Sequence, residues 1–297
     1  MKIGIIAKCR IFEQPEQGQQ LFDILLQLQK NKAILFIEES LHLDNRTDSI
    51  FRNLIKEQYC FISPIKLFQN VDMVIVFGGD GTLLRAASYV GKKSPPVLAV
   101  NCGNVGFLSE VLFANIHKVI GNIFDKNYVV EERPLLHIEI VEGKKKIFHG
   151  SALNEMVIHH GRTARLIEFL IQLDGKDFLK SKVDGWIIAT TTGSTAHSLS
   201  AGGSVVDIDV DAILLTPMNP ANLSLRPLVI ADKHTLTLKL LTDCKDNLQP
   251  AVTIDGQQTF TVGTTTIIKI KKNPFPLRLV RFSAQSFLGS LQQKLRW

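Results

Sequence analysis

Between Met73 and Leu84 the chain runs through a short block of β-formers, two glycines, an aspartate, a third glycine and a helix-capable segment, VIVFGGDGTLL from Val74. A strand that stops on Gly78-Gly79 and restarts as a helix near Thr82 leaves a turn with almost no side chains, in which backbone N–H groups can point at a phosphate. Asp80 is the one group in that turn able to accept a proton. This restricts the first part of the chain to folds in which a strand feeds a helix across a ligand-facing edge. The plain alternative is a tight turn whose aspartate bonds its own backbone. No Gly-Lys-Ser/Thr follows, so the turn is not a Walker A loop, and the glycine spacing is not that of a Rossmann dinucleotide fingerprint.

Around this turn strands and helices alternate up to about residue 125. Ile3–Ala7 and Met73–Phe77 are continuous apolar runs suited to strands buried on both faces, and Ala33–Ile37 and Val97–Val100 complete a set of four. Gln17–Lys30, Ser49–Gln58 and Leu83–Tyr89 carry apolar residues at helical spacing. The rhythm predicts a parallel sheet of Rossmann-like α/β type, with ligands at the carboxyl ends of its strands. A second glycine-bearing loop, Asn101–Leu108, should lie at the same edge.

From Glu131 the helical periodicity gives way to strand pairs: Leu136–Val141 with Lys146–His149, Leu166–Leu173 with Phe178–Lys180, then Trp186–Thr190 and further runs to Ile270. Asp174-Gly175 and Asp255-Gly256 are hairpin signals. The second part therefore reads as an all-β sandwich, and the tail Ser286–Trp297 recovers a helical stripe. The expected division is 1–130 for the α/β domain, 131–272 for the sandwich and 273–297 for a C-terminal segment.

A length of 297 residues accommodates two such domains, and no apolar run reaches the roughly 18–20 residues that span a bilayer. The apolar patch before Lys8 is too short for a secretory signal and reads as a first strand. Cys9, Cys60, Cys102 and Cys244 show no metal-ligand spacing and read as reduced thiols of a cytoplasmic protein. His159-His160 beside Arg162 and Arg165 offers no metal site either, because adjacent residues on a strand face opposite ways. The net charge of +6 suits a polyanionic small substrate. Lys144–Lys146 sits in a hairpin-like position without aromatic or zinc-finger accompaniment, which argues against nucleic acid.

Two further stretches carry chemistry. Thr190–Gly203, TTTGSTAHSLSAGG, places five hydroxyl-bearing residues ahead of His197 at the end of an apolar strand, a composition suited to sugar hydroxyls and phosphate oxygens. Asn154-Glu155 interrupts an apolar strand, so one of the two must face inward, and a buried carboxylate needs a partner.

Taken together, Gly78–Leu84, Asn101–Leu108, Asn154-Glu155, Asp184–Gly203, Thr216–Arg226 and Phe287–Trp297 resemble, in order, the motifs of the NAD kinases. The resemblance implies an α/β domain followed by a β-sandwich, with the last segment, 273–297, returning to the first domain. It also implies transfer of a phosphoryl group from ATP, accompanied by Mg2+, to the adenosine ribose 2′-hydroxyl of NAD. It matches Asp80 to the catalytic aspartate and Gly78, Gly79 and Gly81 to the phosphate-binding turn. Asn154 and Glu155 match residues at the substrate ribose, and Thr195, Ala196, His197, Ser198, Leu199 and Ser200 the segment that holds adenosine. Arg85, Arg165, Lys182, Asp184 and Gln257 fall at further NAD-contact positions, Lys182 standing where many relatives have arginine. A homodimer or homotetramer, with a neighbouring subunit completing an interdomain site, follows from the same resemblance. Thr191 and His197 depart from the usual proline and tyrosine, Ser204 and Asp207 from prolines, and Ala221 from a histidine. A lipid kinase sharing the GGDG turn, or a non-catalytic dinucleotide-binding regulator, would share parts of this pattern; the former would need an amphipathic membrane surface, which the sequence does not display.

Overall fold

Strands buried on both faces must be covered by helices on both sides, and the N-terminal half is built that way. The computed structural model describes residues 1–8, 11, 15–41, 58–103, 106, 108–161, 165–242, 250–282, 287, 289 and 291–292. The chain divides into two compact units, Met1–Glu132 with Leu277–Trp297, and Arg133–Pro276.

In the first unit the strands are β1 (Lys2–Ala7), β2 (Ile34–Glu38), β3 (Tyr59–Ile62), β4 (Met73–Gly78), β5 (Val97–Asn101), β6 (Val111–Leu112) and β7 (Val129–Arg133). Helices α1 (Pro15–Lys30), α2 (Pro64–Asn70), α3 (Asp80–Ala87) and α4 (Ile116–Phe124) connect them. The sheet order is β3-β2-β1-β4-β5, and these neighbours are parallel. From β1 the chain moves outward through β2 and β3, then crosses back to lay β4 on the other side of β1. That reversal is a topological switch point, and ligands of open parallel sheets bind in the crevice at the carboxyl ends there. The core is made by β1, β2 and β4 side chains such as Ile5, Ile37 and Phe77, against Leu21, Leu25 and Leu28 of α1.

Two differences from the sequence reading have physical causes. Helix α3 opens at Asp80, three residues ahead of the expected Leu83, because Gly79 takes the extended N-cap conformation (φ −106°, ψ −170°) that starts the helix at once. Strand Tyr59–Ile62 and helix α2 do not stand out by periodicity because each is short; helix α4 is a further element absent from the sequence reading. After the second unit, Leu277–Arg281 rejoins the first sheet as a strand, parallel to β5 and between it and β7. The expected helix over Ser49–Gln58 and the tail helix lie almost wholly outside the described residues.

The second unit contains β8 (Leu136–Glu142), β9 (Lys145–Ala152), β10 (Glu155–His159), β11 (Ile167–Leu173), β12 (Lys176–Val183) and β13 (Gly185–Thr190). A single turn of helix, α5 (His197–Ser200), precedes β14 (Ala212–Met218), β15 (Leu228–Ala231), β16 (Leu236–Leu240), β17 (Ala251–Ile254), β18 (Gln258–Thr261) and β19 (Thr266–Lys272). Two antiparallel six-stranded sheets result, ordered β15-β14-β13-β10-β17-β18 and β12-β11-β16-β19-β8-β9. Alternate residues of both sheets meet in one core: Ile138 and Ile140 of β8, Phe169, Trp186, Leu238 and Ile268 among them. Asp174-Gly175 closes a two-residue hairpin and Asp255-Gly256 opens a three-residue one that ends at Gln257, with positive φ at each Asp and Gly, 50° and 80° in the first and 48° and 66° in the second. Strand β13 is buried along its whole length. Its outer face, with Val157 and Leu214, is covered by Ala201 and Val206 from the segment that follows it.

Candidate active site

In the first unit the glycine turn closes at the switch point. Gly78 ends β4, and its carbonyl accepts the Cys102 N–H at 3.0 Å, tying the turn to the loop after β5. The Gly79 carbonyl accepts the Thr82 N–H at 3.0 Å and that of Leu83 at 3.2 Å. Asp80 is the first residue of α3, so its charge lies at the positive end of the helix dipole. A Cβ at Gly106 would fall on the Asp80 carboxylate, so Gly106 lies directly against that side chain and its lack of a side chain leaves the carboxylate room. Gly79 faces open space. The chemistry-bearing parts of this corner are thus an acceptor carboxylate, unshielded backbone and N–H groups of a helix start.

Arg85, on the same helix, is bound through both terminal nitrogens to the buried Glu38 at the end of β2, Nη2 to Oε2 at 3.0 Å, and Nη2 also donates to the Ala7 carbonyl at 2.9 Å. Stripping a partner from a buried charge costs about 3–5 kcal/mol. The guanidinium therefore fastens β1, β2 and α3 together beside the turn. Glu38 could have been suspected only from a charge ending an apolar strand.

In the second unit Asp255 organises the site, and it is the residue that sequence reasoning missed. Its carboxylate accepts the N–H groups of Leu153 (2.7 Å), Asn154 (2.9 Å) and Glu155 (3.0 Å), and its own N–H returns to the Glu155 carbonyl. The Asp-Gly signal had pointed to a hairpin there, not to a carboxylate turned inward. Burial pushes the Asp255 carboxyl up to about 6, against the lowering effect of those three N–H donors.

Glu155 is the inward-facing member of the Asn-Glu pair, only 8% exposed. Burial and the neighbouring Asp255 charge push it up to about 7, opposed by the backbone N–H of His197. The partner expected for a buried carboxylate is thus a backbone donor and, near neutrality, a proton, rather than a cation. Its Oε2 atom and the Thr192 hydroxyl are buried without a hydrogen-bond partner among the described residues. Two buried acceptors left open in one corner suit a ligand that brings hydroxyl groups.

The small-residue loop after β13 is ordered by its own hydroxyls. Thr190 Oγ1 donates to the Leu153 carbonyl at 2.6 Å and accepts the Gly193 N–H at 3.0 Å. Ser194 bonds the Val206 backbone, and Ser198 pairs with Thr216 at 2.8 Å. A Cβ at Gly193 would strike the Asn154 backbone, so the loop and the Asn-Glu pair are in close packing. Within this unit, Asn154, Glu155, Gly193 and the His197 turn come together at one corner, with Gln257 exposed in the hairpin turn beyond Asp255. Asp184 directly precedes the other end of β13, about 20 Å along a strand from Thr190, with Lys182 two residues earlier on β12. There Asp184 accepts from Asn219 Nδ2 at 2.8 Å, and Lys182 lines an open groove of about 510 Å³ with Glu168 and Asn222. Arg165 is exposed on the segment leading into β11.

Comparison with known proteins agrees with this arrangement of elements. Residues 46–128 match the model of the ATP-NAD kinase N-terminal domain, and residues 153–282 that of the ATP-NAD kinase C-terminal domain. Over 226 residues the chain is 39% identical to the NAD kinase of Pseudomonas entomophila (strain L48), covering 76% of each chain. The NAD kinase of Marinobacter nauticus is 38% identical over the same share of both. The crystal structure of yeast NADH kinase complexed with NADH superimposes with a TM-score of 0.85 at 24% identity, over 100% of this chain and 88% of that one. An NAD kinase from Archaeoglobus fulgidus in complex with ATP gives a TM-score of 0.68 at 23% identity, over 100% and 99%. At those identities the two structures speak for the fold.

Two outcomes follow from the geometry. Gly106→Ala should push the Asp80 carboxylate aside and lower turnover by roughly 100-fold, the scale of a misplacement of about 1 Å, with substrate KM little changed; steady-state kinetics at wild-type levels would contradict this contact. Glu155 concerns stability. In the unfolded chain it titrates near 4.5 and in the folded chain near 7, so its contribution is intact below about pH 4.5 and is lost as pH rises through 7. Glu155→Gln should therefore melt above wild type at pH 8, with the gap closing at pH 5. A gap independent of pH would mean that the carboxylate is not held protonated.

Proposed function

The chain belongs to the NAD kinase family, and we propose that it transfers the γ-phosphoryl group of ATP to the 2′-hydroxyl of the adenosine ribose of NAD, giving NADP. The observation that carries this reading is the position of Asp80: first residue of a helix, at the carboxyl end of β4, beside the switch point, with Gly106 against its carboxylate. The N–H groups of the first turn of α3 suit the phosphates of ATP. Asp80 orients the ribose hydroxyl and takes its proton as the oxygen–phosphorus bond forms and the bond from the γ-phosphorus to the bridging oxygen of ADP breaks. An aspartate is a weak base toward an alcohol, so the proton moves late, and positioning and electrostatics supply most of the acceleration.

Asn154 and Glu155 receive the ribose region of NAD, the open Glu155 acceptor taking a sugar hydroxyl, and Thr195–Ser200 the adenosine. The site at the turn fits a divalent cation carried by ATP, since the Asp80 carboxylate and the substrate phosphates are the hard oxygen donors that Mg2+ prefers. When bound, Mg2+ neutralises charge on the phosphates. Arg85 acts here through its grip on Glu38, holding α3 in place.

We infer a homodimer or homotetramer, a reading that the separation of the two ends of β13 supports. Asp184 and Lys182 lie farther from the Glu155 corner than one nucleoside reaches, which favours their serving the substrate of a neighbouring copy. Sedimentation analysis should return a multiple of the chain mass, and a fully active monomer would overturn this point. A cytoplasmic setting accords with the free thiols of Cys60 and Cys102.

The reaction is tested by incubating the purified protein with NAD, ATP and magnesium and following NADP with a coupled dehydrogenase. Asp80→Asn should lower turnover by about three orders of magnitude or more, the effect of removing a residue that both positions and accepts, with NAD affinity retained. Undiminished turnover would take Asp80 out of the chemistry. NAD binding without NADP formation in the wild type would instead indicate a dinucleotide-binding regulator, and phosphorylated diacylglycerol a lipid kinase.

A further inference from the structure

On the second unit, away from the Asn154-Glu155 corner, two histidines and a glutamate converge. His137 and Glu139 are alternate residues of β8, and His149 on β9 stands directly opposite Glu139 in the antiparallel register. Leu136, Ile138 and Ile140 turn into the core, so His137 and Glu139 face outward from the sheet that lacks β10 and β13. Both imidazole Nε2 atoms aim at one carboxylate oxygen: His137 Nε2 lies 3.5 Å from Glu139 Oε1, and His149 Nε2 lies 3.7 Å from it. The rings are 4.6 Å apart between centroids and inclined at 77°. One donor atom from each residue falls within 4.8 Å of the others.

We propose that His137, Glu139 and His149 form a binding site for a divalent transition-metal ion of the zinc class, which clips the edge strand β9 to β8. Two imidazoles and a carboxylate are a donor set for Zn2+ and its first-row neighbours, and three protein ligands leave a fourth position for water. Around a tetrahedral ion with bonds of 2.0–2.1 Å the donor atoms stand about 3.4 Å apart. The two separations to Glu139 are already close to that value, so an ion needs only small side-chain adjustments. A hard ion such as Mg2+ prefers an all-oxygen shell and does not suit this set. An ordinary cross-strand pair would join Glu139 to one histidine; here two histidines share one oxygen.

The charge around the site sets its strength. Lys271 and Lys269 on β19 stand opposite His137 and Glu139 and are exposed on the same side. Their repulsion of a cation makes the site one of modest affinity. The clip has a place to act, because β9 is the outermost strand of its sheet and ends at Ala152, one residue before the segment held by Asp255.

The test uses the full chain, freed of metal by chelation and titrated with zinc chloride alone, without nucleotide. The wild type should bind one ion per chain with a rise in melting temperature, and cobalt chloride in place of zinc should give the visible absorption of a tetrahedral site. His149→Ala, a half-exposed position, should fold normally by circular dichroism, weaken zinc binding by at least about 100-fold and abolish the cobalt spectrum. Glu139→Gln should weaken it less while leaving both imidazoles in place. Zinc binding and melting shift that persist unchanged in His149→Ala, or cobalt binding with an octahedral spectrum only, would overturn the site.

Discussion

Three consecutive N–H groups, those of Leu153, Asn154 and Glu155, converge on one buried carboxylate, and the shape of the second unit's functional corner depends on that convergence. Backbone donors in the link between β9 and β10 have no strand partner, and leaving them unpaired in the interior is costly. Asp255 supplies the acceptors from the far side of the sheet sequence, a separation of about a hundred residues. With the link held, Glu155 is fixed as the first residue of β10, opposite Ala189 of β13. The same anchoring lets Thr190 and Gly193 close over the Asn154 backbone. A short chain of interactions therefore runs from a hairpin turn to the residues proposed to receive the sugar.

That anchoring has an electrostatic consequence. Two carboxylates, Asp255 and Glu155, share a region from which water is largely excluded, and like charges in such a place raise each other's proton affinity. Asp255 is relieved by its three N–H donors, whereas Glu155 has one backbone donor and an open oxygen. Glu155, the less satisfied of the two, is the one with an oxygen left open toward a ligand hydroxyl. Stability and ligand reception thus depend on the same imperfectly satisfied group, a frequent arrangement at sites.

In the first unit the controlling constraint is steric. Gly78 and Gly106 allow an approach so close that the Thr82 side chain occupies the space a side chain at 78 would need, and the Asp80 carboxylate the space of one at 106. The sheet topology places this contact at the switch point, and the Arg85–Glu38 pair holds the helix to the strands flanking it.

Much of this could be read along the chain wherever the controlling physics is local. Continuous apolar runs announced β1 and β4, the glycines announced a strand-to-helix turn, and each Asp-Gly pair announced a hairpin, because backbone sterics and burial act over a few residues. The site motifs were legible too, as unusual compositions: GGDG, the Asn-Glu pair and the hydroxyl-rich loop. Partnerships across long separations were not. That Arg85 holds Glu38, that Asp255 turns inward to anchor the Asn-Glu link, that Leu277–Arg281 forms a strand between β5 and β7, and that His149 stands opposite Glu139 are matters of register and crossover. A periodic pattern shows which face of a strand is buried, but it does not say which other strand lies beside it. The sequence by itself determined the elements, the turns and the chemical identity of the candidate residues. Only the tertiary structure decided which of those residues meet, because a contact between distant segments is settled by how sheets pair and pack.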